Sequence, residues 1–186
     1  MISPNDPGAM KQYVVESQEL GIPYIYDPSQ QIVRMSSAEL CEGIVGAYGI
    51  FVNDYEAALV EKMTGMKPED ILARNQQPGR PFVVVTRGEQ GATIYARDGA
   101  VQIPIVPPFA IVDPTGVGDA FRGGFITAYQ NGLDWVTCGR MGALAATYCL
   151  ENTGPQGHHY TTAEFVARYR RYFEDEGRLD ILIEQD

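Results

Sequence analysis

The feature that most constrains the fold is an alternation of short apolar runs and helical patterns in the first part of the chain. Residues 22–26 (IPYIY) and 49–52 (GIFV) have the length and composition of buried strands. Apolar residues recur at helical spacing in 36–47 and again from Tyr55, which this spacing places on the inward face. Such an alternation predicts an α/β fold with a mostly parallel sheet covered by helices.

The pattern changes in the second part of the chain. After a short helix near 68–74, three runs, 82–86 (FVVVT), 92–96 (ATIYA) and 100–105 (AVQIPI), are joined by turn sequences and predict antiparallel strands. Three helices are predicted to finish the chain, at about 119–130, 134–150 and 161–175. A chain of 186 residues can bury a core as one domain, so we expect a single domain over residues 1–186.

Composition excludes several classes of function. The chain has 14 Lys and Arg against 24 Asp and Glu, a net charge of −10, so a nucleic acid is not expected as its partner. An anionic ligand such as ATP must then be held locally, by backbone N–H groups, a helix end and a metal ion. The start of the chain has no signal-peptide pattern, and no apolar run approaches about 18 residues. We therefore expect a soluble cytoplasmic protein without a membrane segment.

The segment DPTGVGDAFRGGF, residues 113–125, combines a glycine-rich loop with the start of a helix. The backbone N–H groups of Gly116, Val117 and Gly118 can form an anion hole, to which the helix adds its positive end. Asp119 is then the candidate general base for a substrate hydroxyl. The alternative is that Asp119 only caps the helix.

Two further segments allow both a structural and a functional interpretation. Asn53 and Glu56 have the spacing of a helix capping box, and they also suit a nucleotide contact and a holder of hydrated Mg²⁺. Residues 86–91 (TRGEQG) have the form of a hairpin turn, or of a loop that packs on a nucleotide. The chain contains no Walker-type phosphate loop, so it is not a P-loop enzyme. It also lacks a dinucleotide-binding glycine motif, which makes a NAD-dependent oxidoreductase a weak alternative. His158 and His159 have no partners at ligand spacing, and no metal site is expected there.

The order N-x-x-E, T-x-G-x-x-G and D-x-T-G-x-G-D resembles the ribokinase-like, or PfkB, family of sugar and nucleoside kinases. The resemblance covers essentially the whole chain and implies a three-layer α/β/α sandwich. It also implies transfer of the ATP γ-phosphate to a hydroxyl group. The segments PNDPGAM, GIPYIYDPSQQ and GPQGHHY look most like bacterial adenosine kinases or generic carbohydrate kinases, which implies an adenosine-like nucleoside or a sugar as the substrate.

The resemblance assigns roles residue by residue. Asp119 matches the catalytic base, and Gly116, Val117 and Gly118 match the anion hole, with valine where alanine is usual. Glu56 matches the residue that organises Mg²⁺ through water, and Asp113 and Thr115 fall where some members bind a monovalent cation such as K⁺. Nucleotide contacts are implied for Asn53, Thr86, Arg87, Gly88 and Gly91, and for Gly142 and Ala146 within the segment 142–158 that flanks the adenine.

The family pattern also includes an N-terminal portion with the first strands, a lid and a substrate-gripping segment, which this sequence does not contain. We therefore expect the nucleotide-binding part of a kinase. The alternative is a non-catalytic nucleotide-binding module. A sheet edge left uncovered at residues 1–3 (MIS) leaves room for a homodimer.

Overall fold

A computed structural model describes residues 1–184. The strands are β1 (Ile25–Tyr26), β2 (Gly49–Asn53), β3 (Phe82–Thr86), β4 (Ala92–Ala96) and β5 (Gly99–Ile103). The α-helices are α1 (Pro7–Glu19), α2 (Ser37–Gly46), α3 (Asp54–Thr64), α4 (Pro68–Arg74), α5 (Val117–Gln130), α6 (Trp135–Leu150), α7 (Thr162–Tyr169) and α8 (Asp180–Ile183). Short 3₁₀ helices cover Ser29–Arg34 and Gly88–Gln90. Within residues 1–184, no helix combines the length and apolarity needed to cross a bilayer.

The five strands form one sheet in the order β1-β2-β3-β4-β5. The first three strands are parallel, and β4 returns antiparallel to β3. The predicted α/β fold with a mostly parallel sheet is therefore confirmed. Ile2 adds a parallel bridge to Tyr26, beside β1.

Contacts between residues divide the described chain into two compact units. The first comprises Met1–Gly88 and Ala92–Val101, and the second comprises Glu89–Gly91 and the described residues from Gln102 onward. The single domain predicted over residues 1–186 stays a prediction, and its last two residues lie outside the described part.

Each unit has an apolar core of its own. In the first, buried side chains of β2 and β3 pack with those of the surrounding helices, among them Ile44 and Ile71. In the second, α5 and α6 pack closely, and the rings of Phe121, Phe125 and Trp135 stack in a row with centroids 6.4 Å apart. These rings make α5, which follows the glycine loop, a firmly held element.

The predicted bounds of α4, β3 and β4 are confirmed, whereas the strand predicted over 100–105 ends at Ile103, because Pro104 has no N–H to donate. Three further local predictions are wrong. The strand predicted over 22–26 shortens to two residues, because Ile22 is 53% exposed and Pro23 has no N–H to donate. The helix predicted to reach residue 175 ends at Tyr169, where the chain tightens into i→i−3 turns. Tyr55, predicted to face inward, is 66% exposed, because α3 turns Glu56 and Val60 toward the core instead.

Candidate functional site

The glycine loop of the second unit turns directly into α5. Gly116 precedes the helix with φ of 82°, and a Cβ placed there would lie 2.4 Å from Cβ of Pro155, so only glycine fits. Asp119 lies in the first turn of α5, and its side chain is 79% exposed. Because the N-cap position is Gly116, without any side-chain hydrogen bond, Asp119 does not serve as the helix cap.

The backbone N–H groups of this loop differ in whether they have a hydrogen-bond acceptor. Thr115 donates to Asp113 Oδ1 at 2.9 Å, and Val117 makes a long bond of 3.4 Å to the carbonyl of Pro114. For Gly116 and Gly118, residues 1–184 supply no acceptor for the N–H group. Unsatisfied N–H groups at the positive end of a helix are suited to an anion.

The Asp113 carboxylate holds the loop through two hydrogen bonds. Its Oδ1 accepts the Thr115 N–H and its Oδ2 accepts the Gly154 N–H, both at 2.9 Å. The hydroxyl and N–H of Thr115, together with the N–H of Gly154, hold the pKa of the Asp113 carboxyl below its usual value. The carboxylate therefore ties the loop to the segment that follows α6.

Cys149 packs under the same loop. Its Sγ lies 3.4 Å from the carbonyl oxygen of Thr115 and 3.9 Å from that of Pro155. Burial raises the pKa of this thiol, and the negative charges of Asp113 and Asp119 raise it further. Two backbone carbonyl oxygens therefore lie within 4 Å of this thiol.

Arg122 is a residue of this site that sequence reasoning missed. Its Nη1 lies 3.1 Å from Asp119 Oδ1, while its own side chain is only 15% exposed. The i, i+3 spacing of the two residues on one helix was the available signal. A carboxylate and a guanidinium therefore lie side by side at the start of α5.

In the first unit, Asn53 and Glu56 form the capping box that their spacing predicts. Asn53 Oδ1 accepts the Glu56 N–H, and Glu56 Oε2 accepts the Asn53 N–H, both at 2.8 Å. Glu56 is 7% exposed, and its Oε1 accepts a hydrogen bond from Ser29 Oγ at 3.2 Å. The carboxylate is thus held firmly in one orientation, as a holder of a hydrated ion would need to be.

Polar residues follow each of the three parallel strands at one edge of the sheet. Asp27 follows β1, Asn53 ends β2, and Thr86 ends β3 in register with Asn53. The carboxyl edge of a parallel sheet is where ligands bind in open α/β folds. Sequence reasoning assigned no functional role to Asp27 or Ser29, although Asp27 is 1% exposed and Ser29 has φ of 43°. A buried acid directly after an apolar strand was the signal that was missed.

The segment 86–91 is the antiparallel turn that its glycines indicate, because Thr86 pairs with Ala92. Arg87 donates from Nη1 to the hydroxyl of Thr93 and from Nη2 to the hydroxyl of Tyr95 at 3.5 Å. Gly88 has φ of 52° and open space around it. A Cβ on Gly91 would lie 2.0 Å from the carbonyl oxygen of Ile103, so this glycine allows a close approach of the backbone.

Gly142 and Ala146 lie on α6. A Cβ on Gly142 would lie 2.9 Å from the carbonyl oxygen of Phe121, so the buried glycine lets α5 approach α6. Ala146 is half-buried. The contacts of both residues with a nucleotide stay predictions.

No set of three or more His, Cys, Asp or Glu residues that could hold a metal occurs in residues 1–184. Mg²⁺ in kinases keeps several waters and is usually bound by one or two carboxylates together with substrate phosphates. The rigid Glu56 carboxylate fits an ion held in that way, through water.

Comparison with known proteins identifies relatives for most of the chain. Residues 10–162 match the sequence model of the pfkB family carbohydrate kinases. A nucleoside kinase of Methanocaldococcus jannaschii is 31% identical over 147 residues, which is 79% of this chain and 47% of that protein. A nucleoside kinase of Methanothermobacter thermautotrophicus is 36% identical over 155 residues, which is 82% of this chain and 48% of that protein. The chain therefore spans about half the length of the curated relatives it matches.

A solved structure agrees with these matches. The nucleoside kinase of Burkholderia thailandensis in complex with inosine superposes with a TM-score of 0.86 at 41% identity, over 92% of this chain and 55% of that one. The same kinase has been solved in complex with ADP-inosine. The predicted ribokinase-like fold is thereby confirmed.

Proposed function

Because the chain belongs to the pfkB family of carbohydrate kinases, we propose that it acts in ATP-dependent transfer of a phosphoryl group to a hydroxyl group of a nucleoside. The observation that carries this proposal is the start of α5, where the N–H groups of Gly116 and Gly118 have no acceptor within residues 1–184 and Asp119 is exposed without capping the helix. A sugar hydroxyl is the alternative acceptor within the same family. The nucleoside is favoured by the similarity to nucleoside kinases, one of them solved with inosine.

In the proposed reaction, Asp119 takes the proton of the substrate hydroxyl as its oxygen forms a bond to the γ-phosphorus. The bond between that phosphorus and the β,γ-bridging oxygen breaks, and its electron pair leaves with ADP. The N–H groups of Gly116, Val117 and Gly118, with the positive end of α5, stabilise the charge that spreads over the transferred group. For Val117 this requires the long bond to Pro114 to give way, and a bond of 3.4 Å is weak enough to do so.

Residues of the first unit are proposed to bind Mg²⁺ through water and to contact the nucleotide. Glu56 would hold a water of hydrated Mg²⁺, which neutralises phosphate charge when bound. Asn53, Thr86, Arg87, Gly88 and Gly91 are proposed to contact the nucleotide, as are Gly142 and Ala146 in the second unit. For Arg87 the hydrogen bonds to β4 support this role, because they fix the guanidinium beside the carboxyl edge of the sheet.

A monovalent cation such as K⁺ is proposed at Asp113 and Thr115. Backbone carbonyl oxygens are the ligands that K⁺ prefers, and those of Thr115 and Pro155 both lie within 4 Å of Cys149 Sγ, close to this part of the loop. Asp113 would add negative charge there. A cation held by Asp113 and Thr115 would stiffen the loop.

The test is a transfer assay on the full chain with ATP–Mg²⁺ and a panel of nucleosides and sugars, in K⁺ and in tetramethylammonium buffer. We expect phosphorylation of a nucleoside, faster in K⁺. Asp119→Asn should lower kcat by roughly 10²- to 10⁴-fold, the usual loss for a general base, and leave ATP affinity nearly unchanged.

Asp98→Asn, which removes an exposed carboxylate from the turn between β4 and β5, is the matched control and should be fully active. Nucleotide binding without transfer to any acceptor would support the non-catalytic module instead. Full turnover by Asp119→Asn would refute the role of this residue.

A further inference from the structure

The guanidinium of Arg122 lies where it can control the carboxylate of Asp119. Nη1 of Arg122 is 3.1 Å from Asp119 Oδ1, and the bond runs along one face of α5 between residues three positions apart. The Asp119 side chain is 79% exposed, whereas that of Arg122 is only 15% exposed. The arginine is therefore the fixed partner of the pair, and the aspartate is the mobile one.

The position of this guanidinium is also defined by Gly118. A Cβ built on Gly118 would lie 3.1 Å from Arg122 Nη1, so the arginine lies against the backbone of the glycine loop. A cation at the positive end of a helix is unfavourable unless an anion compensates it. Asp119 provides that compensation, which gives Arg122 a reason to bind this carboxylate.

The hydrogen bond from Arg122 leaves Oδ2 of Asp119 available to accept a proton. Oδ1 accepts the bond from Arg122, while no residue in 1–184 donates to Oδ2. An exposed aspartate without such a bond would sample several rotamers. With Oδ1 anchored, Oδ2 has a restricted set of positions from which it can receive a proton.

The negative charges of Asp113, in the loop, and Asp119 both act on the buried thiol of Cys149, on α6. Among the residues that the structure describes, Arg122 is the cation that forms an ion pair with Asp119.

We propose that Arg122 is a positioning residue for phosphoryl transfer, which holds Asp119 so that Oδ2 faces the acceptor hydroxyl. The proposal rests on the function proposed above. Arg122 then affects the rate of the chemical step only because it orients Asp119.

The test is a double-mutant cycle in the transfer assay with the full chain, using Arg122→Met, Asp119→Asn and the double variant. Methionine keeps the apolar stem and removes the charge and the donors. We expect Arg122→Met to lower kcat roughly 5- to 10-fold, as for the loss of one ion pair that orients a reacting group, with the KM for ATP within about twofold. In the Asp119→Asn background the same change should have no further effect, because the group that Arg122 positions is already lost.

Two additional variants separate positioning from stability. Arg122→Lys should recover part of the lost kcat, since it restores the charge but not the forked geometry. Arg171→Met, at an exposed arginine of the second unit, should leave kcat unchanged. The melting temperature of every variant shows whether it has folded.

The outcomes distinguish the two proposals. A wild-type chain that transfers phosphate, combined with an Arg122→Met variant of unchanged kcat, overturns the role of Arg122 alone. A raised KM for ATP with unchanged kcat, or a further loss of rate in the Asp119→Asn background, also overturns it, because Arg122 would then act on the phosphates directly. A folded wild-type chain without any transfer overturns the proposed function, and this inference with it.

Discussion

At the scale of single residues, the ion pair of Glu151 and Arg168 fixes the segment that precedes the glycine loop. Both nitrogens of the Arg168 fork bind the Glu151 carboxylate, at 2.6 and 2.7 Å, and the two side chains are 11% and 7% exposed. Glu151 also accepts the Phe109 N–H at 2.7 Å, and the guanidinium lies over the rings of Phe109 and Tyr148. The pair therefore joins α6, α7 and the segment that leads into the loop.

Replacing Glu151 with glutamine should reduce stability strongly, and by an amount that depends on pH. The change leaves the Arg168 charge buried without its partner, and we expect a loss of about 3 kcal/mol in the free energy of unfolding at pH 7. Burial alone would raise the pKa of Glu151, but the bonds from Arg168 and the Phe109 N–H outweigh it and lower the pKa below 4.5. A lowered folded-state pKa means that the stabilisation is complete above pH 4.5 and is lost as the pH falls through the folded-state value.

Urea unfolding of wild type and Glu151→Gln between pH 7 and pH 3 measures this effect. The difference between the two proteins should shrink below pH 4.5, because protonated glutamate resembles glutamine. Glu174→Gln, at an exposed position, is the control and should differ little from wild type at any pH. A difference that stays constant over this range would contradict the assignment.

At the scale of elements, the close packing of α5 against α6 sets the position of the glycine loop. Gly124 makes this packing possible, because a Cβ there would lie 2.6 Å from the carbonyl oxygen of Met141 and 2.9 Å from Cβ of Ala145. Its neighbour Gly123 is exposed, and a Cβ there would meet no atom within 4 Å. Two adjacent glycines of one helix thus have opposite surroundings.

Alanine substitutions at these two glycines should have opposite effects on stability. Gly124→Ala should cost about 1–3 kcal/mol, because α5 must move away from α6. Gly123→Ala should stabilise by about 0.5–1 kcal/mol, because alanine loses less backbone entropy than glycine in a helix. Chemical denaturation measures both changes. Equal effects of the two substitutions would show that the helices are not in close contact at Gly124.

At the scale of the whole molecule, the net charge of −10 opposes the approach of an anionic nucleotide. Binding then depends on local groups, such as the N–H groups at the start of α5. A ligand that binds only the folded chain raises its stability by mass action, whether or not it reacts.

ATP–Mg²⁺ should therefore raise the melting temperature, and NAD should not. At a concentration 100 times its Kd, ATP–Mg²⁺ is expected to add about 2.7 kcal/mol to the free energy of unfolding. Asp119→Asn should show the same shift, since the base is not needed for binding. A thermal shift with NAD and none with ATP–Mg²⁺ would contradict a kinase and favour an oxidoreductase.

Features that depend on neighbouring residues could be predicted from the sequence. Strands β3 and β4 and helix α4 have the predicted bounds, because apolar runs and turn residues encode them locally. The turn at Gly116 and the place of Asp119 in the first helical turn are local in the same sense. The pair of Arg122 with Asp119 was also within reach, at a spacing of three residues.

Contacts between residues far apart in sequence depend on how the chain folds. Ser29 and Glu56 are 27 positions apart in sequence, and Arg168 and Glu151 are 17 positions apart, yet each pair forms a hydrogen bond. Cys149 contacts the carbonyl group of Thr115, which lies 34 positions earlier. No local pattern specifies such contacts, because they follow from how strands pair and helices pack. The physical reason is that backbone conformation depends on neighbours in sequence, whereas the orientation of a catalytic or ion-holding group depends on neighbours in space.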